Sequence, residues 1–258
     1  GNYDTYYNYR NPGAADDPRL EVFEEAWFQG KRALDIGCNS GSVTMEIAER
    51  FKPRHIMGFD IDNALIAKAR ANLLTRPQPQ IVTPPPKKPP LNPTPQPGRA
   101  ETQPPRMPNP QTQRPRALGG QENQGARFSF PFNCSFKKED YCNEAEIDAR
   151  YDVITCLSVT KWVHFNRGDE GVKLLFSKVH RALKEGGRFI LEWQEWGSYK
   201  KKKTLTPLFK ANCAAIKLHP GRFKEYLLNE VGFKSATVLT PRKGKSEGFQ
   251  RPLVVFQK

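Results

Sequence analysis

Arg32-Ala33-Leu34-Asp35-Ile36-Gly37-Cys38-Asn39-Ser40-Gly41 is the stretch on which the fold turns. Arg32 to Ile36 reads as a buried strand and Gly37 to Gly41 as a turn. Val43, Ile47 and Ala48 then set an apolar stripe on a helix running to about Arg50. A second strand, His55 to Phe59, ends in Asp60, and a second helix covers Ala64 to Leu74. Farther on, Arg127 to Phe132 alternates like a strand, and Tyr151 to Cys156 is another. Asp169 to Leu183 is expected to be helical, stopped by Glu185-Gly186-Gly187. The strand Arg188 to Glu192, a helix Arg222 to Glu230, and strands Ser235 to Leu239 and Leu253 to Gln257 complete the pattern. Strand–helix alternation with short turns predicts an α/β fold, a parallel sheet with helices on both faces.

From Pro77 to Gly125 the chain is rich in proline and glutamine and almost devoid of large apolar residues. Such a segment buries too little surface to offset its ordering entropy, so it reads as a disordered or polyproline-II loop. The flanks complete each other. One discontinuous domain is therefore expected over 1–76 and 127–258, with 77–126 as an insertion.

The 258 residues suffice for one large domain, or a domain and a tail. No run of eighteen apolar residues suggests a membrane span, and no apolar signal region follows the first residues. The chain opens at Gly1 without methionine and reads as a fragment. Five cysteines form no C-x-x-C pair, and the histidines form no ligand cluster. Neither a disulfide frame nor a metal site is expected, and a reducing intracellular compartment fits. A net charge of +14 points to a polyanionic partner such as nucleic acid.

Ligands of such sheets lie beyond the carboxyl ends of the strands, where LDIGCNSG falls. Gly37 lets backbone approach a ligand, and Asp60 ends the second strand, where a carboxylate suits a ribose diol. Asn39 replaces the middle glycine of a dinucleotide fingerprint, leaving G-x-x-x-G. That fits a cofactor without phosphate, such as S-adenosylmethionine. The strand ending at Cys156 continues as Leu157-Ser158-Val159-Thr160-Lys161-Trp162-Val163-His164, not as the acidic proline turn of base-methylating enzymes. The Lys161 cation favours an anionic acceptor, and a phosphate oxygen needs positioning more than deprotonation. Tyr6-Tyr7-Asn8-Tyr9-Arg10, Lys200 to Lys203 and Gly248-Phe249-Gln250-Arg251-Pro252 supply aromatics and cations for RNA. Each has a plainer reading: a packing arm, a solvated charge run, a surface lysine. Trp162 and Trp196 read as core, and His164 as a packing residue without a catalytic role.

Taken together, these residues resemble the methylphosphate capping enzymes of small RNAs (Bin3-type). GNY-x-x-YY-x-YRNP at the start, LDIGCNSG, Gly58-Phe59-Asp60-Ile61-Asp62, the run from Tyr151 to Gly171, and Gly248 to Pro252 carry the likeness in order. The resemblance implies a Rossmann-like class I methyltransferase with a seven-stranded, mostly parallel sheet. It also implies methyl transfer from S-adenosylmethionine to the terminal (gamma) phosphate of a small noncoding RNA. The known members act on 5′-triphosphate or 5′-monophosphate ends. By position it implies cofactor contacts from Tyr7, Arg19, Gly37, Asn39, Asp60 and Ile61, with Asn133, Cys134 and Leu157 on the adenine side. Lys161, Tyr6 and Arg10 are implied as the catalytic set holding the 5′ nucleotide and its phosphate. Gln250 and Arg251, with Lys200 and Lys201, are implied to bind RNA. A nuclear location and a La-related protein partner are implied as well. Glu192-Trp193-Gln194-Glu195-Trp196 departs from the family's Glu-Pro-Gln-Pro-Trp, and an indole and a carboxylate there would reshape the acceptor pocket. The competing readings are an RNA 5′-end-binding scaffold with little or no catalysis, and a small-molecule methyltransferase.

Overall fold

The computed structural model describes residues 17–77, 129–143, 148–200, 202–241, 251 and 253–258. The strands are β1 (Arg32–Ile36), β2 (His55–Asp60), β3 (Cys134–Lys138), β4 (Tyr151–Leu157), β5 (Leu183–Glu192), β6 (Ser235–Leu239) and β7 (Leu253–Gln257). They form one seven-stranded sheet in the order β3-β2-β1-β4-β5-β7-β6. All neighbours are parallel except β7, which runs against both β5 and β6. Strands from before and after 78–128 thus share a sheet, while the insertion itself lies outside the described residues.

Alternation along the strands divides the core in two. Leu34, Ile36, Ile154 and Leu191 face a layer built from Phe176 and Val179 of α3 (Thr160–Ala182) and from Phe223. Ala33, Val153 and Ile190 face α1 (Ser42–Arg50), α2 (Asn63–Leu74) and the segment carrying Leu20 and Phe28. Burying each large apolar side chain stabilises by about 1.5–3 kcal/mol, so both layers are needed to hold the sheet flat between them. Asp35 lies buried on the α1 side, accepting from Thr44 Oγ1 at 2.6 Å and Thr155 Oγ1 at 2.7 Å. Those hydroxyls pin the helix after the first turn to β1 and β4.

Three elements differ from expectation. Ser129 to Asn133 is a turn, closed by Phe132 N–H donating to the Ser129 carbonyl at 2.9 Å, and the strand begins only at Cys134. Pro131 lacks the donor a strand needs, while Lys137 and Lys138 disguise the real strand as surface. The helix expected from Asp169 is present, preceded by a further helical segment from Thr160 across a break at Gly168 (φ 62°, ψ −160°). It ends at Ala182. Leu183 already pairs with Tyr151, and pairing resumes at Val153 with Arg188, so Glu185-Gly186-Gly187 lies within β5 rather than stopping a helix. The helix expected at Arg222–Glu230 is a short α turn, Phe223–Tyr226, followed by a π turn, Leu227–Val231.

Gly41 caps α1 with φ 82°. A Cβ there would meet the Phe136 ring at 2.6 Å and Ala69 Cβ at 3.0 Å. Gly41→Ala should therefore cost about 2–4 kcal/mol from the left-handed backbone and the overpacking together. That corresponds to a fall of about 10 °C in the thermal midpoint. An unchanged midpoint by calorimetry would mean that α2 and Phe136 yield freely.

Candidate functional site

The strand order reverses between β1 and β4, and a cavity of about 500 Å³ opens at their carboxyl ends. Gly37 and Asn39 after β1, Asp60 and Ile61 at the end of β2, and Leu157 of β4 line it. Gly37 packs so closely on Val159 that a Cβ would sit 2.2 Å from its Cγ2. Asn39 takes the left-handed conformation (φ 54°), which asparagine tolerates, and its side-chain oxygen accepts from Ser40 N–H at 2.7 Å. Asn39 N–H donates to Asp60 Oδ2 at 2.9 Å and Asp62 N–H to Asp60 Oδ1 at 2.9 Å. Burial pushes the Asp60 carboxyl up, and these two backbone donors pull it down.

The cavity suits an adenosine-containing cofactor. A carboxylate has about four acceptor sites, so Asp60 keeps two for a ribose diol after serving the two backbone donors. Ile61, Leu65 and Leu157 offer an apolar slot for a base. Tyr7 lies outside the described residues. Arg19 does not line the cavity but is buried nearby, its Nε and Nη2 donating to Asp17 at 2.9 and 2.6 Å.

Asn133 and Cys134, expected on the adenine side, do not line the cavity. They stand at the opening end of β3, where Cys134 pairs with Ile56 near the start of β2, at the opposite edge of the sheet from the cavity. Asn133 Nδ2 donates to the carbonyls of Ala48 and Pro53 at 3.0 and 3.1 Å, and burial pushes the Cys134 thiol up to about 12. The residues that line the cavity from this strand are Glu139, Asp140, Tyr141 and Cys142, which follow its carboxyl end. The first turns of α3 were missed too: Trp162, Val163 and Arg167 reach the cavity, and Arg167 Nη2 pairs with Asp140 Oδ2 at 2.5 Å.

A cationic group adjoins the cavity where β4 and β5 end. Ser158, in a left-handed conformation (φ 66°), lines the cavity and accepts from Arg251 Nη1 at 2.6 Å. Ser158 Oγ also donates to Glu192 Oε1, and Gln194 Nε2 donates to the Ser158 carbonyl at 2.6 Å. Lys161 is buried one turn of chain away, its Nζ 5.2 Å from the Trp162 ring. Burial, with Arg251 and Lys202 repelling, lowers its pKa to about 8. Lys200 is exposed at the end of a single helical turn, Gly197–Lys200. Tyr6, Arg10, Lys201 and Gln250 lie outside the described residues. Trp193 does not fill the cavity. Its indole is buried in the core 6.1 Å from the Phe223 ring, and Glu195 is exposed. His164 is fully buried against Tyr199 Oη at 2.9 Å, and burial lowers its pKa to about 4, as befits a packing residue. Trp196 stands edge-on to His219 at 4.2 Å. Among the described residues no cluster of His, Cys, Asp and Glu is set to hold a metal ion, and no helix is long and apolar enough to cross a membrane.

A family model described as Bicoid-interacting protein 3 (Bin3) matches residues 151–258. A probable RNA methyltransferase of Arabidopsis thaliana is 39% identical over 261 residues, covering 100% of this chain and 80% of the plant protein. The U6 snRNA methylphosphate capping enzyme Amus of Drosophila melanogaster is 33% identical over 264 residues, covering 100% of this chain and 74% of that protein. The chain belongs to the Bin3 family. The human 7SK snRNA methylphosphate capping enzyme is 37% identical over 274 residues, but this Bin3-family chain spans only 39% of its length. Among solved structures, an S-adenosylmethionine-dependent methyltransferase from Mesorhizobium loti matches 96% of this chain and 99% of its own, with a TM-score of 0.53 and 16% identity, a likeness of fold.

A second family model, described as a methyltransferase domain, matches residues 33–83. The two matches divide the site of this Bin3-family chain along its chemistry. Gly37 and Asp60 fall in the methyltransferase match, on the side of the cavity that suits adenosine. Ser158, Lys161, Glu192 and Arg251 fall in the Bin3 match, on the cationic side.

Proposed function

We propose that this Bin3-family chain is an S-adenosylmethionine-dependent RNA 5′-phosphate O-methyltransferase that methylates the terminal (gamma) phosphate of a small noncoding RNA to form a methylphosphate cap. The observation that carries the reading is that Arg251, a cation that Lys161 feels, donates to Ser158, which lines the same cavity as Asp60 and Gly37. S-adenosylmethionine, when bound, supplies a methyl group on a sulfonium centre. Asp60 accepts from its ribose, and the left-handed turn at Asn39 keeps that carboxylate in place. Lys161 and Arg251 hold the terminal phosphate by charge-assisted hydrogen bonds, with one of its oxygens toward the methyl. A phosphate oxygen is a nucleophile at neutral pH, so no general base is required. Fixing the approach within a partly closed pocket supplies the acceleration. This is consistent with a His164 buried away from the reaction. The resemblance and the relatives extend the reading to a small nuclear RNA as substrate, a nuclear place of action and a La-related protein partner.

The test is transfer of radiolabelled methyl from S-adenosylmethionine to matched RNAs carrying 5′-triphosphate, 5′-monophosphate or 5′-hydroxyl ends. Label should enter phosphorylated RNA, stay absent from the hydroxyl form and be lost on removal of the terminal phosphate. Phosphate-dependent binding without any transfer would instead make the chain a 5′-end scaffold.

A further inference from the structure

We propose that Glu192 is a positioning residue of this site: it orients the Arg251 guanidinium for the RNA terminal phosphate and braces it, through its second oxygen, against Arg19 beside the donor cavity. The inference rests on the proposed function for the identity of the anion. It goes beyond that reading in assigning a role to a carboxylate where the ligand is itself negative.

Glu192 is the last residue of β5 and is 1% exposed. Its Oε1 accepts from Ser158 Oγ and stands 3.6 Å from Arg251 Nη1, and its Oε2 stands 3.5 Å from Arg19 Nη1. Arg19 in turn is doubly held by Asp17. The backbone joins the same link, since Ser158 N–H donates to the Glu192 carbonyl at 2.9 Å. A buried carboxylate beside a phosphate site is costly unless cations neutralise it. Here Asp17 and Glu192 carry two negative charges and Arg19 and Arg251 two positive ones, so the four cancel. Net attraction for an incoming polyanion is left to Lys161 and Lys202, the cation that Lys161 feels besides Arg251. What the neutral quartet contributes is direction. A guanidinium fork is useful to a phosphate only when its plane is set beforehand, and Glu192 with Ser158 fixes one edge of it. Arg251 itself belongs to no helix or strand, so this side-chain anchoring supplies the rigidity a regular element would give.

The experiment is a double-mutant cycle read as binding of 5′-phosphorylated RNA relative to the same RNA with a 5′-hydroxyl, by fluorescence anisotropy with S-adenosylhomocysteine present. Glu192→Gln keeps the length and the contact to Ser158 but removes the charge. It should weaken the phosphate-dependent part of binding about tenfold, leave 5′-hydroxyl RNA binding unchanged, and have no further effect in the Arg251→Ala background. Independent, multiplying effects of the two substitutions would overturn the proposal, as would wild-type phosphate preference in a folded E192Q protein. Glu192→Asp retains the charge but withdraws it by one methylene, and a loss of about threefold is expected. It carries the same cycle should E192Q fail to fold, with the same non-additivity expected and additivity overturning the proposal. Because the readout is binding, absence of methyl transfer by the wild-type chain would fail the proposed activity without touching this result.

Discussion

Lys161→Ala should lower kcat/KM for 5′-phosphorylated RNA by about 100-fold while leaving affinity for S-adenosylhomocysteine within about twofold, since one charge-assisted contact strengthened in a desolvated site is worth roughly 1.5–3 kcal/mol. The separation of the two effects follows from position. Lys161 does not line the cavity that Asp60 and Gly37 share, whereas the neighbouring Trp162 does. Its pH signature is distinctive. The Lys161 pKa lies at about 8, below its ordinary 10.5, because burial penalises the cation and Arg251 and Lys202 repel it. In the free protein the cation is lost as pH rises through about 8, so kcat/KM for RNA should fall tenfold per unit above that pH. Lys161→Arg, always protonated, should flatten the fall even if the maximum is lower. The same shift acts on stability with the opposite sense. Between about 8 and 10.5 the unfolded chain keeps a proton the native state has released, so stability rises with pH across that window. Lys161→Met should therefore raise the thermal midpoint at neutral pH while lowering transfer as Lys161→Ala does. Wild-type turnover in K161A at subsaturating RNA would remove this lysine from the reaction.

Asp60→Ala should weaken binding of S-adenosylhomocysteine about 100-fold or more by isothermal titration calorimetry. Two hydrogen bonds to a charged acceptor are removed, each worth about 1.5–3 kcal/mol at most. The carboxylate also holds the Asn39 and Asp62 amides at 2.9 Å, so its loss frees both loops that frame the ribose position. Asp60→Asn offers one oxygen where the aspartate offers two, so an intermediate loss is expected. Equal affinity for the wild-type and alanine proteins would show that the cofactor binds elsewhere.

Much of the donor half was legible because its chemistry is local. β1, the left-handed turn and the first helix follow one another directly, and Asp60 closes the next strand, so spacing alone brings Gly37, Asn39 and Asp60 to one edge. The β3 side was misread because amphipathic alternation is ambiguous in five residues. Phe128-Ser129-Phe130-Pro131-Phe132 mimics a strand, whereas Cys134-Ser135-Phe136-Lys137-Lys138 ends in two exposed lysines. Asn133 and Cys134 came from the family resemblance, by position, and not from the reading of this strand. Glu192 was hidden for another reason. Its partners Arg19, Ser158 and Arg251 are distant in sequence and meet only when β4, β5 and the chain before β7 come together, a juxtaposition no periodicity encodes. Trp193 looked like an intruder in the pocket because it stands where the family has a proline. The pleat at the end of β5 sends it into the core instead, while Glu192 takes the site side.

The break at Gly168 divides one long helix into two parts. Before it Trp162, Val163 and Arg167 line the cavity while His164 and Phe165 pack inward, and after it Leu175 reaches the cavity while Val172, Phe176 and Val179 pack into the interior. Because the rod is interrupted, a change of side-chain bulk in the leading half need not propagate as a rotation of the trailing half. Substitutions at Trp162, Val163 or Arg167 can thereby reshape the cavity with little effect on the packing of the trailing half.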